Sequence, residues 1–231
     1  MKILINSQPE LKFESDERQK KNDNDRVLAP SVGGLTWAAE GQESGRFYSR
    51  KIHWPTGANS GVTIGRGYDM GQRSKALVQA DLISADVLKQ VAIKLSAGAG
   101  LRGNDAAKFV RENQELLPEL TAQQELALFS KVTYPRYENE ARRIATKPDV
   151  VQAYGALDVD ELKKTQPELS SVLVDLLYRG DYTTGTRKIL QKALVAGDKA
   201  QVCDALKEIN KNNQVPPARA AARNELLECK T

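Results

Sequence analysis

Only one stretch of this chain has the composition of β-structure. Between Phe47 and Asp69, β-branched residues, glycine and proline alternate in SRKIHWPTGANSGVTIGRGYD. The rest of the patterned sequence, from about Ser84 onward, has apolar residues at helical spacing between capping residues. A chain divided in this way predicts an α+β fold with two lobes. The small β lobe covers about 45–70, and a mainly helical lobe covers about 85–231.

The β stretch is expected to form a hairpin or three-stranded sheet turning around PTGANSG. Before it, SVGGLTWAAEGQ predicts a short helix carrying Leu35, Trp37 and Ala38 and ended by Gly41. After it, SADVLKQVAIKL opens on a serine cap and NDAAKFVREN on a further capping residue. Thr121-x-x-Gln124 has the form of a capping box. PELSSVLVDLLYRG places Leu169, Val172, Leu173, Leu176 and Leu177 at helical spacing, with Gly180 as its stop. TTGTRKILQKALVAGD, KAQVCDALKEIN and PPARAAARNELLECK complete the helical set. The first thirty residues hold the run KFESDERQKKNDNDR and almost nothing to bury. They are expected to be a flexible lead or linker, with residues 31–231 as the folded domain.

The net charge of +4 is spread along the chain, which argues against a nucleic-acid face. It suits a substrate with scattered carboxylates, such as a bacterial cell wall. No apolar run reaches the roughly 18 residues of a membrane span, and the N-terminus lacks a secretory apolar region. Cys203 and Cys229 can pair in an oxidising compartment or remain thiols.

The residues also limit the chemistry. His53 is the single histidine, and there is no GxSxG elbow for a serine hydrolase. One histidine and two remote cysteines do not make a zinc site. Gly65-x-Gly67 lacks the rest of a dinucleotide loop, and no phosphate-binding loop occurs. Carboxylate chemistry without metal or cofactor remains.

Val62 to Asp69 reads VTIGRGYD. If extended, it puts Thr63, Gly65, Gly67 and Asp69 on one face. A sugar ring could lie over the two glycines while Thr63 and Asp69 hold a water. The alternative is an edge strand in which the glycines mark bends and Asp69 begins a turn. Glu40 ends an apolar helix beside Trp37, Ala38 and Ala39, where partial desolvation would suit a general acid. Its alternative is a solvated surface glutamate, and Glu43 is its nearest competitor in a more polar run.

Together, Glu40-Gly41 and SGVTIGRGYDMG resemble the phage-type lysozymes, in which a helix-borne Glu-Gly precedes a Thr-Ile-Gly-x-Gly strand. They look still closer to the pesticin-like muramidases, a branch that includes bacteriocins and lysozyme modules of secreted antibacterial effectors. LLYRGDYTTGTRK, from Leu176 to Lys188, resembles a helix-end motif of the same effectors. The motifs span roughly 31 to 188.

The resemblance implies a two-lobed lysozyme-like fold and a catalytic set of Glu40, Thr63 and Asp69. In the phage enzymes the aspartate precedes the threonine by six positions. That position here is Gly57, so Asp69 takes the role. The implied reaction is inverting hydrolysis of the β-1,4 bond between N-acetylmuramic acid and N-acetylglucosamine. Inversion predicts carboxyl groups about 6.5–9.5 Å apart. Arg66, Tyr68, Tyr178 and Arg179 are candidate saccharide contacts, each also readable as a packing or capping residue. His53 and Trp54 are expected to shape the β lobe.

The expected partners are peptidoglycan glycan strands and an immunity protein, with no nucleic acid, no membrane and a monomeric enzyme. Export without a classical signal peptide to the periplasm or wall of a target bacterium is implied. A chitin- or chitosan-directed glycosidase, a non-catalytic wall-binding module and the lysozyme part of a longer chain are the rival readings.

Overall fold

The computed structural model describes residues 28–230, which pack as two compact units. One unit takes Glu43–Gly65 and Asp69–Ala127; the other takes Pro30–Gln42, Arg66–Tyr68 and the chain from Leu128 on. The expected charged lead falls on residues 1–27, outside the described residues.

In chain order the elements are α1 (Gly34–Glu40), β1 (Thr63–Ile64), β2 (Tyr68–Asp69), α2 (Lys75–Ser84) and α3 (Lys89–Leu95). Then come α4 (Gly103–Asn113), α5 (Ala122–Leu128), a π-helical turn (Phe129–Thr133) and α6 (Tyr134–Ala145). The remainder is α7 (Pro148–Tyr154), α8 (Val159–Thr165), α9 (Pro167–Arg179), α10 (Thr184–Ala196), α11 (Lys199–Asn212) and α12 (Pro217–Leu226). The architecture is α+β, mostly helical with one two-stranded sheet among the described residues. No helix among them is long and apolar enough to cross a membrane.

In the unit that holds Thr63, the hairpin turn lies elsewhere than expected. PTGANSG joins only a single antiparallel bridge, in which His53 and Thr63 exchange both backbone hydrogen bonds at 2.8 Å. The tight reversal follows β1, through Gly65 at φ 61° and Gly67 at φ 79°. Both glycines therefore occupy the left-handed region, and the two-residue alternation cannot run from 62 to 69. The glycines mark a bend, not a bare floor under a ligand.

The helices of this unit also begin at other residues than expected. The expected Ser84 cap does not form, α3 instead beginning after Leu88 with no side-chain cap. Ser74 caps α2, its Oγ accepting from the Leu77 N–H at 3.2 Å. Ser84 ends α2, and Asp86 at φ 63° reverses the chain before α3. α4 starts at Gly103 with Arg102 before it and no side-chain cap, so Asn104 lies inside its first turn. These helices pack with the β residues, which extends the unit to Ala127 instead of ending it near 70. Ile52, Val62, Ile64, Met70, Val78, Leu82, Leu95 and Leu120 are buried to 1% exposure or less. Each such side chain contributes about 1.5–3 kcal/mol of transfer free energy.

The other unit is built on α9. Its stripe of Leu169, Val172, Leu173 and Leu176 joins Ile144, Leu162, Leu190 and Leu206 in one apolar cluster. Gly180 stops α9 in the left-handed conformation at φ 84°, as the sequence predicts. In the first unit, the Thr121–Gln124 capping box forms in both directions, at 3.0 and 3.1 Å. Cys203 on α11 and Cys229 beyond α12 form a disulfide, with Cα atoms 5.6 Å apart. That bond fastens the C-terminal end of α12 to the apolar cluster.

Candidate functional site

α1 begins at Gly33, which has φ 80° and lies so close to Tyr134 that a Cβ would sit 2.5 Å from the ring. Thr36, Trp37 and Glu40 then share a face, being three and four residues apart. Trp37 anchors that face: it packs edge-on to Phe129 at 5.1 Å, and the Arg66 guanidinium covers its ring at 3.9 Å. Arg66 also donates to the Trp37 carbonyl at 2.7 Å. A side chain at Gly41 would strike that guanidinium, its Cβ falling 1.6 Å from an Arg66 nitrogen. Gly41 thus leaves room for the Arg66 guanidinium as well as ending the helix.

Glu40 meets a buried ionic network. Arg219 Nη1 donates to its Oε1 at 2.6 Å. The same guanidinium donates to Asp175 at 2.7 and 3.1 Å. Asp175 also accepts from Arg223 Nε at 2.7 Å and from Thr36 Oγ1 at 3.0 Å. Arg223 reaches Asp181 at 2.8 Å, and Arg179 pairs with Asp181 too. Asp175 is fully buried, whereas the Glu40 side chain keeps 22% of its exposure.

The two carboxyls respond differently. Burial pushes the Glu40 carboxyl above the ordinary glutamate range, and Arg219 only partly offsets it. Burial would also raise Asp175, but Arg219 and Arg223 outweigh it and hold that carboxyl low. Asp175 is therefore the permanent anion of the network, and Glu40 is the group poised to carry a proton.

In the other unit, Thr63 and Asp69 meet at Gly61. Thr63 Oγ1 donates to the Gly61 carbonyl at 3.3 Å. Asp69 accepts from the Gly61 N–H at 3.0 Å and, through its other oxygen, from the Gly71 N–H at 2.6 Å. Arg73 donates to the Asp69 carbonyl. A side chain at Gly61 would collide with the Asp69 carboxylate, its Cβ falling 2.2 Å from Oδ1. The carboxylate thus ties together the segments on either side of the hairpin, and Thr63 is itself buried.

The remaining candidates are mainly internal. Tyr68 has no exposure and Arg66 only 5%, which fits packing and bracing better than contact with a saccharide. Tyr178 stacks on Tyr137 at 4.1 Å and donates to the Arg66 carbonyl. Arg179 pairs with Asp181 and donates to the carbonyls of Asn213 and Gln214. Both remain partly exposed. His53 is buried and its pKa lowered by burial, with Nδ1 3.1 Å from the Lys51 carbonyl. No cluster of acidic, histidine or cysteine side chains able to hold a metal occurs among the described residues.

Asp175, Arg219 and Arg223 are absent from the expected set. The sequence held a signal for each. Asp175 interrupts the apolar run VLVDLL, where an ionised side chain demands a partner. Arg219 and Arg223 are four apart on one helix face.

A family model described as "Domain of unknown function (DUF8812)" matches residues 33–224. The chain belongs to that family. No curated protein matches the chain. The matched stretch runs from the glycine that opens α1 to the turn of α12 that carries Arg223. Within this DUF8812 domain lie Glu40, Asp175 and both arginines, as well as Thr63 and Asp69. Cys229 lies outside it.

Proposed function

We propose that this chain is a peptidoglycan-cleaving muramidase of lysozyme-like type, with Glu40 as the proton donor. The observation that carries the reading is the state of Glu40. Its carboxyl ends an anchored helix, is largely desolvated, and is raised in pKa although a guanidinium touches it. A general acid must hold its proton near working pH, and burial moves Glu40 in that direction.

The proposed step moves the Glu40 proton to the glycosidic oxygen as the bond from that oxygen to the anomeric carbon breaks. A water adds to the anomeric carbon from the opposite face, and its proton passes to Asp69. Thr63 orients that water. The product sugar is inverted, and the site resets as Glu40 regains a proton from solvent and Asp69 releases one to it. Arg219 then steadies the glutamate left ionised after transfer, while Asp175 holds Arg219 in place. The resemblance of SGVTIGRGYDMG and LLYRGDYTTGTRK to the pesticin-like muramidases supports the substrate, as does the positive net charge. The same resemblance leads us to propose action on a target cell's wall after export, with an immunity protein as partner.

A second reading of one residue has an observation in its favour. Both Asp69 oxygens already accept backbone N–H groups, so Asp69 can serve as a hairpin brace while Glu40 alone performs the acid step. The deciding assay is release of reducing ends from purified peptidoglycan by the full chain and by Glu40→Gln. Release by the first and not by the second supports the proposal. Release by both, or by neither, ends it. Chitosan run in parallel separates a muramidase from a chitosan-directed relative.

A further inference from the structure

In the unit that carries Asp69, Arg46, Trp54, Ala107, Val110, Arg111 and Gln114 line a cavity of about 330 Å³. Two features bear on what it can hold. The first is charge. Arg142 and Arg143 on α6 are matched to Asp160 and Glu140. Arg46 and Arg111 have no carboxylate partner among the described residues, and the lining contains none. Arg46 instead lies 5.4 Å from the Phe47 ring centre. Two unmatched guanidiniums beside one concavity make a site for a carboxylate, which their planar donors suit.

The second feature is rigidity. Trp54 Nε1 donates to the Ser60 carbonyl at 3.2 Å, which fixes the indole. Gln114 Nε2 donates to the Ile52 carbonyl at 2.9 Å, which fixes the amide. Ala107 and Val110 supply an aliphatic wall. The Ser60 carbonyl belongs to the same peptide group as the Gly61 N–H, which donates to Asp69 at 3.0 Å. One peptide plane therefore joins the pocket's indole to the candidate carboxylate.

We propose that this pocket binds a stem-peptide carboxylate of the peptidoglycan strand, with the peptide's aliphatic side chain against Ala107 and Val110. The proposal rests on the muramidase reading and adds a reason to choose peptidoglycan over chitin. A neutral chitin chain has no anion to offer the two arginines.

The test uses the full chain and follows tryptophan fluorescence during titration with muramyl dipeptide and, separately, with the neutral N,N′-diacetylchitobiose. The dipeptide should bind at least tenfold more tightly. Arg46→Ala/Arg111→Ala should lose at least tenfold for the dipeptide, with its melting temperature unchanged. Trp54→Phe should abolish the fluorescence response and show that Trp37 does not report it. Equal binding of the two probes, or unchanged binding by the double variant, overturns the proposal. Reducing-end release from intact peptidoglycan reads the muramidase reaction separately. Cleavage without selective binding removes the pocket and leaves the enzyme. Selective binding without cleavage leaves the pocket and removes the enzyme.

Discussion

In the unit that begins at Pro30, Glu40 rests on a guanidinium that is shared with a permanently ionised aspartate. In the unit that carries Thr63, Asp69 rests on two backbone N–H groups, those of Gly61 and Gly71. A carboxyl held by a charged network can gain or lose its proton without dismantling the fold, because Asp175 keeps the arginines in place. A carboxylate held by peptide groups is part of the backbone's own hydrogen bonding, so changing it disturbs the hairpin. The difference teaches that a chemical role is easier to isolate at Glu40 than at Asp69.

The largest expected effect falls on Glu40. Glu40→Gln retains an oxygen for Arg219 but cannot donate a proton. Release of reducing ends should drop by roughly 10²–10⁴-fold. Stability should hold at pH 7. Because burial raises the folded-state pKa, the Glu40 contribution to stability is fully present below the ordinary glutamate pKa. It fades as pH rises through the raised value. At neutral pH the ionised form is thus the strained one, and glutamine relieves it. Thermal melts at pH 7 check this, and a large loss of melting temperature would show that Glu40 is structural.

The next effect falls on stability. Asp175→Asn leaves Arg219 short of its main partner and Arg223 with Asp181 and Asn210 alone. Removing one member of a buried ionic set costs about 3–5 kcal/mol. For a chain of this length that is a fall of roughly 6–20 °C in melting temperature. The Asp175 carboxyl is depressed, so its contribution is present above the ordinary aspartate pKa and is lost as pH falls through the lower folded value. The network should therefore fail in acid, below about pH 4, and Asp175→Asn should abolish that part of the acid transition. Reduction of Cys203–Cys229 should cost a comparable or smaller amount, about 3 kcal/mol less any strain relieved.

How far the sequence revealed this molecule depended on the range of the interaction. Local chemistry was legible: Gly41 and Gly180 end their helices, and Thr121 and Gln124 cap each other as written. The α9 stripe buried itself as its spacing demanded. The position of the hairpin turn is not legible, because glycine permits both an extended and a reversed backbone, and only the left-handed φ of Gly65 and Gly67 decides between them. α2 leaves little local signal because its cap, Ser74, follows directly on the glycine-rich turn. Glu40 was found from its apolar neighbours, but its partner lies 179 residues away. No local pattern encodes that distance, although Asp175 within VLVDLL shows that some cation must come to α9.

Asp69 and Thr63 sharpen the comparison from the other side. If Asp69 takes a proton from water, Asp69→Asn should lose activity nearly as severely as Glu40→Gln while the melting temperature changes little. If it is a brace, the loss should appear chiefly in the melting temperature. Asparagine keeps one acceptor oxygen but presents an NH2 to one of the two backbone N–H groups, at about 1–3 kcal/mol. Thr63→Ala removes one neutral hydrogen bond, to the Gly61 carbonyl, and should cost about 0.5–1.5 kcal/mol, or less than about tenfold in rate. A larger rate loss at unchanged stability would mean that the hydroxyl does more than orient a water.

The smallest effect concerns His53, which shares its backbone bridge with Thr63. Burial lowers its pKa, so the folded state holds it neutral. A group of this kind contributes stability above its unfolded pKa of about 6.5 and loses it as pH falls through the lower folded value. One proton limits the slope to about 1.4 kcal/mol per pH unit. Urea unfolding at pH 7 and pH 5 should therefore show a modest loss in the Glu40→Gln chain, where the opposing contribution of Glu40 is absent. His53→Phe, which fills a similar space and cannot titrate, should remove most of it. The two units separate here as well. The pH 5 loss should arise where His53 packs, whereas the network of Asp175 should remain intact until its own carboxyl protonates. Hydrogen exchange at pH 5 distinguishes the two. Faster exchange at the Ile52, His53 and Thr63 amides, with α9 still protected, is the expected result. Loosening of α9 first would mean that the arginine network, not the buried imidazole, sets the acid limit of the fold.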